Sequence, residues 1–543
     1  MAEKVAAELM AENQRSISVS EFFAKNRHLL GFDNPLKALM TTVKEGVDNS
    51  LDAAEEAGIL PSLKIEIYAV KDREDRYIII VEDNGPGIIK EQIPNIFGKL
   101  LYGSKFHTKR QQRGQQGIGI SAAAMYGQLT TGKGIKITSR ISKNHPAHYF
   151  YLQLNTNTNE AEIVKNEQVE WDKEHGVRLE IELEAKYQKG KKGVEEFLKQ
   201  TSVANPHCMI EYLSPLGEKI IFPRSTDKLP KQGKEIKPHP YGIELGMLIN
   251  MLKSSSASTI SGFLQSEFCR VSDKVAKEIC DKAGIYEKSR PSTIARNEVE
   301  HLFDAMQKVK IMAPPTDCLS PIGEQLLDKS LRNEYQAEFY TAVTRSPVVY
   351  RGIPFQIEVS MCYGGDLEKE DLVKVIRLAN RVPLLYQQGA CGINKAILET
   401  NWRSYGLNQS KGALPSGPCV LVVHIASVWV PFTSESKEAI AHYPDIIKEM
   451  KLALQDCGRN LSKYIRKNVR IKEQKERASL FEKYIPEVAV AISKLSEYDV
   501  KKINEKLMIG LRKNLPLLVG ISHEKLRKEM EHGEEKQITL AES

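Results

Sequence analysis

The sequence predicts a multidomain α+β chain, and three observations carry that prediction. At 543 residues the chain is well past the size at which one hydrophobic core keeps growing, so it divides into domains. Up to about position 220, amphipathic helices and strand-like runs follow one another without a regular strand-helix-strand alternation, which reads as helices layered on one face of a largely antiparallel or mixed sheet. Positions 238–312 are compactly helical, strand signals return after Ala313-Pro314-Pro315, and from Leu461 onward the chain is helical and charged.

Taken in order, the first helix begins at Asp33-Asn34-Pro35, where Asn34 can cap and Pro35 suits the first helical position. Gly58 ends it. Leu36, Leu39, Met40, Val43, Val47, Leu51 and Ala54 make one apolar stripe and leave Glu45, Asp48, Asn49 and Asp52 on another face. Strands are predicted over 64–70 and 77–82, the second ending in the turn formers Asp83-Asn84-Gly85-Pro86-Gly87. A polar segment, 98–116, leads into Gly117-Ile118-Gly119 and a small-residue helix start, and further strands are predicted over 134–141, 147–154 and 178–184. In the helical stretch, helices are expected over 243–252, 260–265, 271–283 and 292–307. The second α/β region offers strands at 348–350, 355–361 and 420–430 and helices at 367–379 and 437–455, and the chain ends in the acidic EHGEEKQITLAES.

Composition excludes several classes. Hydrophobic content of 41%, charged content of 27% and 7% aromatic residues belong to folded globular chains, not to disordered or fibrous ones. No window approaches 18 uninterrupted apolar residues, and the opening MAEKVAAELMAENQRS lacks an apolar targeting core, so neither secretion nor a membrane span is expected. The eight cysteines stand singly with no CxxC pair, which argues for reduced thiols in the cytoplasm and against a zinc site. A formal charge of +7 permits nucleic acid as a partner without demanding it, and the basic residues concentrate in 218–237 and 461–483.

Three features point to a nucleotide. Glu45 and Asn49, at i and i+4, project side by side from the polar face; a carboxylate can orient and deprotonate water, and an amide oxygen is a hard ligand suited to Mg2+. Asp83 stands where a buried strand gives way to a turn and can accept from an exocyclic amine such as adenine's, while Gly85 and Gly87 let backbone approach a flat base. Gly114-Gln115-Gln116-Gly117-Ile118-Gly119 opens a helix, so its backbone N–H groups and the helix dipole suit phosphate oxygens. Lys105, Lys109, Arg110 and Arg113 precede it, of which one or two would touch phosphate. Each feature alone also fits a solvated helix face, a tight turn or a mobile basic loop. Gly127 to Gly134 is a P-loop decoy, because Gly134 replaces the Ser or Thr that holds magnesium and a helix precedes it instead of a strand.

Together, and in this order, the three features resemble the N, G1 and G2 boxes of the ATP-binding fold shared by gyrase, Hsp90, MutL and histidine kinases. The resemblance implies a Bergerat-type ATPase α/β sandwich in which Glu45 is the general base, Asn49 holds Mg2+ and Asp83 reads adenine. Gly114 to Ile120 would wrap the phosphates of ATP, with Arg113 beside them, and Ser104 and Lys105 would belong to a lid. The wording of EGVDNSLDA (45–53), VEDNGPGI (81–88), LLYGSKFHTKRQQRGQQGIGIS (100–121) and FEKYIPEVA (481–489) is similar to the B-subunit family of DNA topoisomerase VI over almost the whole chain.

That resemblance implies an N-terminal strap (1–30), an ATP-binding domain (31–230), a helix-two turns-helix insert (231–312), an α/β transducer (313–470) and C-terminal helices (471–543) that dock a DNA-cleaving A subunit. It also implies that Lys437 reaches the γ-phosphate from the transducer, and that Trp402-Arg403-Ser404-Tyr405 is a basic-aromatic patch facing DNA, although as plain sequence it reads as packing. One departure is Gly176-Val177 where the family commonly has Gly-Thr, which makes Thr138 the better candidate for a hydroxyl near adenine. The implied activity is ATP-gated passage of double-stranded DNA by an A2B2 heterotetramer, with ATP-dependent homodimerisation of the N-terminal domains, relaxing supercoils and decatenating duplexes. This chain would hydrolyse ATP and not cut DNA, its basic stretches meeting phosphates. An Hsp90-type chaperone, a MutL-type mismatch-repair clamp and a sensor kinase are the alternatives on the same ATP fold.

Overall fold

The computed structural model describes residues 10, 14, 16–104, 108–114, 117–190, 192–369, 371–434, 436–496 and 498–519. The chain divides into two compact units, Met1–Asn401 with Leu407–Cys457, and Trp402–Gly406 with Gly458–Ser543.

In the first unit a short helix α1 (Val19–Lys25) precedes α2 (Pro35–Glu56). Asn34 caps α2 as its sequence predicts, its side-chain oxygen accepting from the Lys37 N–H at 2.9 Å. Ala38, Leu39, Val43, Val47, Leu51 and Ala54 of α2 are buried. They cover an eight-stranded sheet of order β5-β4-β3-β6-β2-β1-β7-β8, with β1 Ser62–Ala69, β2 Arg76–Asp83, β3 Ile135–Arg140, β4 Ala147–Asn155, β5 Glu160–Val169, β6 Gly176–Glu184, β7 Met209–Leu213 and β8 Lys219–Phe222. All pairings are antiparallel except β1 with β7. Helices α3 (Ile93–Gly98), α4 (Gly119–Thr131) and α5 (Val194–Ala204) complete the layer on the same face. The other face is polar and laced with ion pairs such as Arg178 with Glu82 (2.9 Å) and Lys136 with Glu180 (2.6 Å), the one-sided burial expected of an antiparallel sheet.

The sequence does not announce α5, β5, β7 or β8. β5 is exposed along nearly its whole length, so EAEIVKNEQV shows no apolar alternation, and β8 lies inside the basic stretch read as a DNA contact.

The inserted helices α6 (Leu245–Ser254), α7 (Ile260–Glu267), α8 (Asp273–Ala283) and α9 (Arg296–Lys308) fall within a few residues of their predicted positions and bury a core of their own around Phe263, Ile279 and Leu302. After α10 (Glu324–Glu334) comes a second sheet of order β10-β11-β16-β12-β13, with β9 pairing β11. Its members are β9 Phe339–Thr344, β10 Val348–Tyr350, β11 Ile353–Tyr363, β12 Lys374–Ala379, β13 Val382–Pro383 and β16 Cys419–Ser427, while α11 (Gly392–Leu398) and a small β14–β15 pair (Asn408–Gln409, Pro415–Ser416) lie between.

Two expectations fail in this region. In place of the helix predicted over 367–379, its last six residues form strand β12, parallel to β16; VKVIRLA is a short apolar run that periodicity alone cannot assign, and burial of Ile376 and Leu378 in the sheet decides it. The helix expected from 437 begins at Pro444, because Lys437 sits at φ +53 in a loop.

Helix α12 (Pro444–Ser496) continues from the first unit into the second, carries Pro486 inside it, and is followed by α13 (Val500–Val519). In the second unit Trp402 is fully buried and the Tyr405 ring lies so close to Gly458 that a Cβ there would stand 2.4 Å from it. The aromatic residues of the patch expected to face DNA are therefore packing residues. Leu480, Phe481, Tyr484 and Leu495 are exposed on α12. Among the described residues no helix is long and apolar enough to cross a membrane. The EHGEEKQITLAES tail and most of the 1–30 segment's first half lie outside the described residues.

Candidate active site

A cavity of about 690 Å³ opens between α2, the turn after β2 and the start of α4, and is closed on one side by 383–386 and 436–438 from the second sheet region. Its volume suits a nucleotide-sized ligand.

The floor is Asp83. Strand pairing sets it opposite Leu63 on one side and Val177 on the other, on the helix-covered face. Its Oδ2 accepts from Ser50 Oγ at 2.6 Å, and its Oδ1 accepts from the Gly85 N–H at 2.8 Å and the Val177 N–H at 3.2 Å. Burial pushes its carboxyl above the ordinary value and these hydrogen bonds oppose the rise. The turn beyond needs its glycine: Gly87 has φ +72, and a Cβ there would fall 2.0 Å from the Arg140 carbonyl oxygen. Ser139 on β3 donates to that turn, accepting in return from the Ile88 N–H at 2.8 Å.

Glu45 and Asn49 both line the cavity from α2, which sits close on the sheet because a Cβ at Gly46 would come within 2.9 Å of Val81. The Glu45 carboxylate takes Lys44 Nζ at 3.1 Å, and the same amine reaches Asp48 at 3.2 Å. Burial pushes the Glu45 carboxyl up, but the charges of Lys44 and Lys437 outweigh it and leave it below the usual range; Glu45 is ionised at neutral pH. It abuts the first turn of α4, where a Cβ added to Gly119 would lie 1.8 Å from Glu45 Oε2. Asn49 is exposed to the cavity.

Ser104, Gly114, Gly117, Ile118 and Ile120 also line the cavity. Gly117 takes φ +57 and its carbonyl accepts from the Leu101 N–H at 3.0 Å, whereas Gly114 has nothing within 4 Å of its missing Cβ. Lys105, Gln115 and Gln116 lie outside the described residues.

From the second sheet region, Lys437 enters the same cavity. Its Nζ donates to the Arg113 carbonyl at 3.3 Å. Burial and the neighbouring Lys44 pull its amine below the ordinary lysine value, against the pull of Glu45, Asp48 and Asp52.

Two predicted site residues stand elsewhere. Arg113 turns its guanidinium away from the cavity onto Asp52 (2.7 Å), Glu55 (2.6 and 2.9 Å) and Asn205 (2.6 Å), and is buried there. A cation already enclosed by two carboxylates is not a phosphate ligand. Arg110 likewise pairs with Glu56 at 2.6 Å. Thr138 pairs with Arg178 across β3 and β6, so it shares the outer face with Lys64 and Glu82, and strand alternation puts it on the side away from Asp83 and Ser139.

Sequence reasoning missed Ser50, Lys44 and the anchoring of 111–113. Gln111 exchanges hydrogen bonds with the backbone of Ser320 (2.7 and 3.0 Å), and Asn380 Nδ2 donates to the Gln112 carbonyl at 2.9 Å. Ser50 was visible in EGVDNS, but nothing local says that its hydroxyl meets a carboxylate 33 positions later.

Fold and cavity together define an ATPase of the histidine kinase, DNA gyrase B and HSP90-like kind, whose family model matches residues 37–194. A second family model, the transducer of the topoisomerase VI B subunit, matches residues 314–477. The B subunit of type 2 DNA topoisomerase 6 from Methanosarcina barkeri is 49% identical over 499 residues, covering 92% of this chain and 80% of that protein. The protein of the same name from Methanococcoides burtonii is 49% identical over 96% of this chain and 84% of its own length, and that of Pyrococcus abyssi is 38% identical over 91% and 95%. The chain belongs to the B-subunit family of type 2 DNA topoisomerase 6, and is the ATP-hydrolysing B subunit of a type IIB topoisomerase. The chaperone and repair-clamp alternatives are not favoured.

Proposed function

We propose that ATP is bound and hydrolysed in this cavity with Glu45 as general base, Asp83 as the adenine reader and Lys437 on the γ-phosphate. The observation that carries the reading is the convergence of Glu45, from the first sheet region, and Lys437, nearly 400 positions later, on one cavity whose floor is a buried carboxylate. Ionised Glu45 can hold a water and take its proton as it attacks the γ-phosphorus, and its position against the first turn of α4 sets that water beside the helix N-terminus, whose N–H groups and dipole suit phosphate oxygens. Asp83 keeps lone pairs for an exocyclic amine, and the Ser50 hydroxyl orients it. Gly114 and Gly117 to Ile120, with Ser104 at the rim, bring backbone against the triphosphate; Lys105, Gln115 and Gln116 join them in this proposal. Lys437 meets the terminal phosphate as a point charge.

Asn49 fits a magnesium site, since its amide oxygen is a hard donor exposed to the cavity wall. Bound there, Mg2+ would neutralise developing charge on the phosphates.

We further propose the domain limits 31–230, 231–312, 313–470 and 471–543, an A2B2 heterotetramer with a DNA-cleaving A subunit docked on the C-terminal helices, ATP-dependent homodimerisation of the N-terminal domains, double-stranded DNA as the substrate passed, and action in the cytoplasm. Lys437 couples the state of the nucleotide to the second sheet region, because a γ-phosphate adds a negative charge beside its amine that the nucleotide-free cavity lacks. The test is ATP hydrolysis and binding of a non-hydrolysable ATP analogue by Glu45→Ala and Lys437→Ala. Glu45→Ala should keep binding and lose hydrolysis by roughly 10²- to 10⁴-fold; retained hydrolysis removes Glu45 as the base.

A further inference from the structure

The shape of the Lys437 loop is fixed by its own backbone. Phe432 and Ile440 bridge, the Thr433 N–H donates to the Ala439 carbonyl at 2.9 Å, and the Lys437 N–H donates to the Ser434 carbonyl at 3.1 Å. These contacts shape the loop without tying it to α2; at the tip itself the Lys437 amine is drawn by Glu45, Asp48 and Asp52 and repelled by Lys44, and its Nζ donates to the Arg113 carbonyl at 3.3 Å.

The next side chain makes a direct ion pair with α2. Glu438 is buried, and one carboxylate oxygen takes Lys37 Nζ at 3.1 Å, in the first turn of α2, while the other accepts from Gln387 Nε2 at 2.6 Å. Lys37 is itself fixed by Asp33 at 3.3 Å and by the Tyr386 ring, 5.3 Å from its amine. One carboxylate therefore ties the loop tip, the segment after β13 and the helix that carries Glu45. Lys37 precedes Glu45 by about two helical turns on that rigid element.

We propose that Glu438 is a positioning residue for ATP hydrolysis: its ion pair with Lys37 and its hydrogen bond from Gln387 latch the loop to α2 and set where Lys437 stands relative to Glu45 and the γ-phosphate. The latch rests on the role given to Lys437 above. It acts on the step in which the loop engages the terminal phosphate, so it should govern turnover and leave nucleotide capture, which belongs to Asp83 and the glycine loop, largely alone.

The experiment measures ATP turnover, affinity for a non-hydrolysable ATP analogue and thermal denaturation of the full chain for Glu438→Gln, Lys37→Met, their double variant and Lys37→Arg, with Lys437→Ala as reference. Glu438→Gln and Lys37→Met should each lower kcat on the order of tenfold, with analogue affinity within about threefold, because the loss is of alignment. The double variant should be no slower than the worse single, the mark of two residues acting through one contact, and Lys37→Arg, which keeps the ion pair, should restore turnover. Additive losses, an unchanged kcat in Glu438→Gln, or a loss that follows analogue affinity or denaturation temperature would overturn the latch. If Glu438→Gln does not fold, the partly exposed Lys37 decides the matter through the contrast between Met and Arg. If Lys437→Ala hydrolyses normally, the role of Lys437 fails and the latch with it; if Lys437→Ala is slow and Glu438→Gln is not, the latch alone fails.

Discussion

Gly119→Ala separates packing from chemistry at this site. A methyl group there would begin 1.8 Å from Glu45 Oε2 and 2.4 Å from its Cδ, so the carboxylate must retreat by about 1.5 Å to reach an ordinary contact. The atom displaced is the far end of a flexible side chain, and at Gly119, the first residue of α4, Ala gains only part of the about 1 kcal/mol it is worth over Gly in a helix interior, which offsets a little of the crowding. Global stability should therefore change by about 1 kcal/mol or less. The attacking water has no such tolerance, since a displacement near 1 Å can cost about 10² in rate. Gly119→Ala should unfold in urea close to wild type, bind a non-hydrolysable ATP analogue within about tenfold, and lose roughly 10² in kcat. Hydrolysis within about threefold of wild type would refute the placement of the base against α4, and a stability loss above about 3 kcal/mol would show that crowding, not misplacement, is the effect.

Two further substitutions test other parts of the site. Ser50→Ala removes the 2.6 Å hydrogen bond to Asp83 and should weaken analogue binding about tenfold by calorimetry, with kcat at saturating ATP little changed. Arg113→Met takes the cation from the half-buried Asp52 and Glu55, leaves Glu55 its hydrogen bond with His207 at 2.7 Å, and should cost about 3 kcal/mol in urea unfolding at pH 7. Its pH dependence follows from Glu55, whose carboxyl burial pushes up but Arg113 and His207 hold well below the ordinary range. A depressed folded value gives stability that is present above the unfolded value near about pH 4.3 and is lost as pH falls below it. The stability gap between wild type and Arg113→Met should thus be full at about pH 6 and narrow steadily as pH falls below about 4.

What was legible in the sequence was what neighbouring residues decide. Asn34 and Pro35 start α2, the i and i+4 spacing puts Glu45 and Asn49 on one wall, and Asp83 with Gly87 ends β2 in a turn only glycine can make, all within a few residues of one another. What was not legible depends on partners far along the chain. The basic run before the glycine loop does not say that Arg113 turns to Asp52, Glu55 and Asn205, between 58 and 92 positions away. Thr138 and Ser139 differ by one step of strand parity, which a hydroxyl count ignores. β12 takes its strand form from β16, and the exposed β5 from β4, pairings no local periodicity announces. Lys437 reached the site by family resemblance alone, and its loop buries Glu438 against Lys37 through a fold that no short motif encodes.

We propose that this chain is an ATP motor whose hydrolysis at Glu45, sensed by Lys437, drives a DNA-cleaving partner. The most direct test is relaxation of supercoiled DNA and ATP hydrolysis by the purified chain, with and without a topoisomerase A subunit, alongside Glu45→Ala and Lys437→Ala. Relaxation that needs both subunits and ATP, and is lost in both variants while Glu45→Ala still binds nucleotide, is the predicted result. Hydrolysis that neither partner nor DNA alters, or relaxation that survives Glu45→Ala, would contradict it.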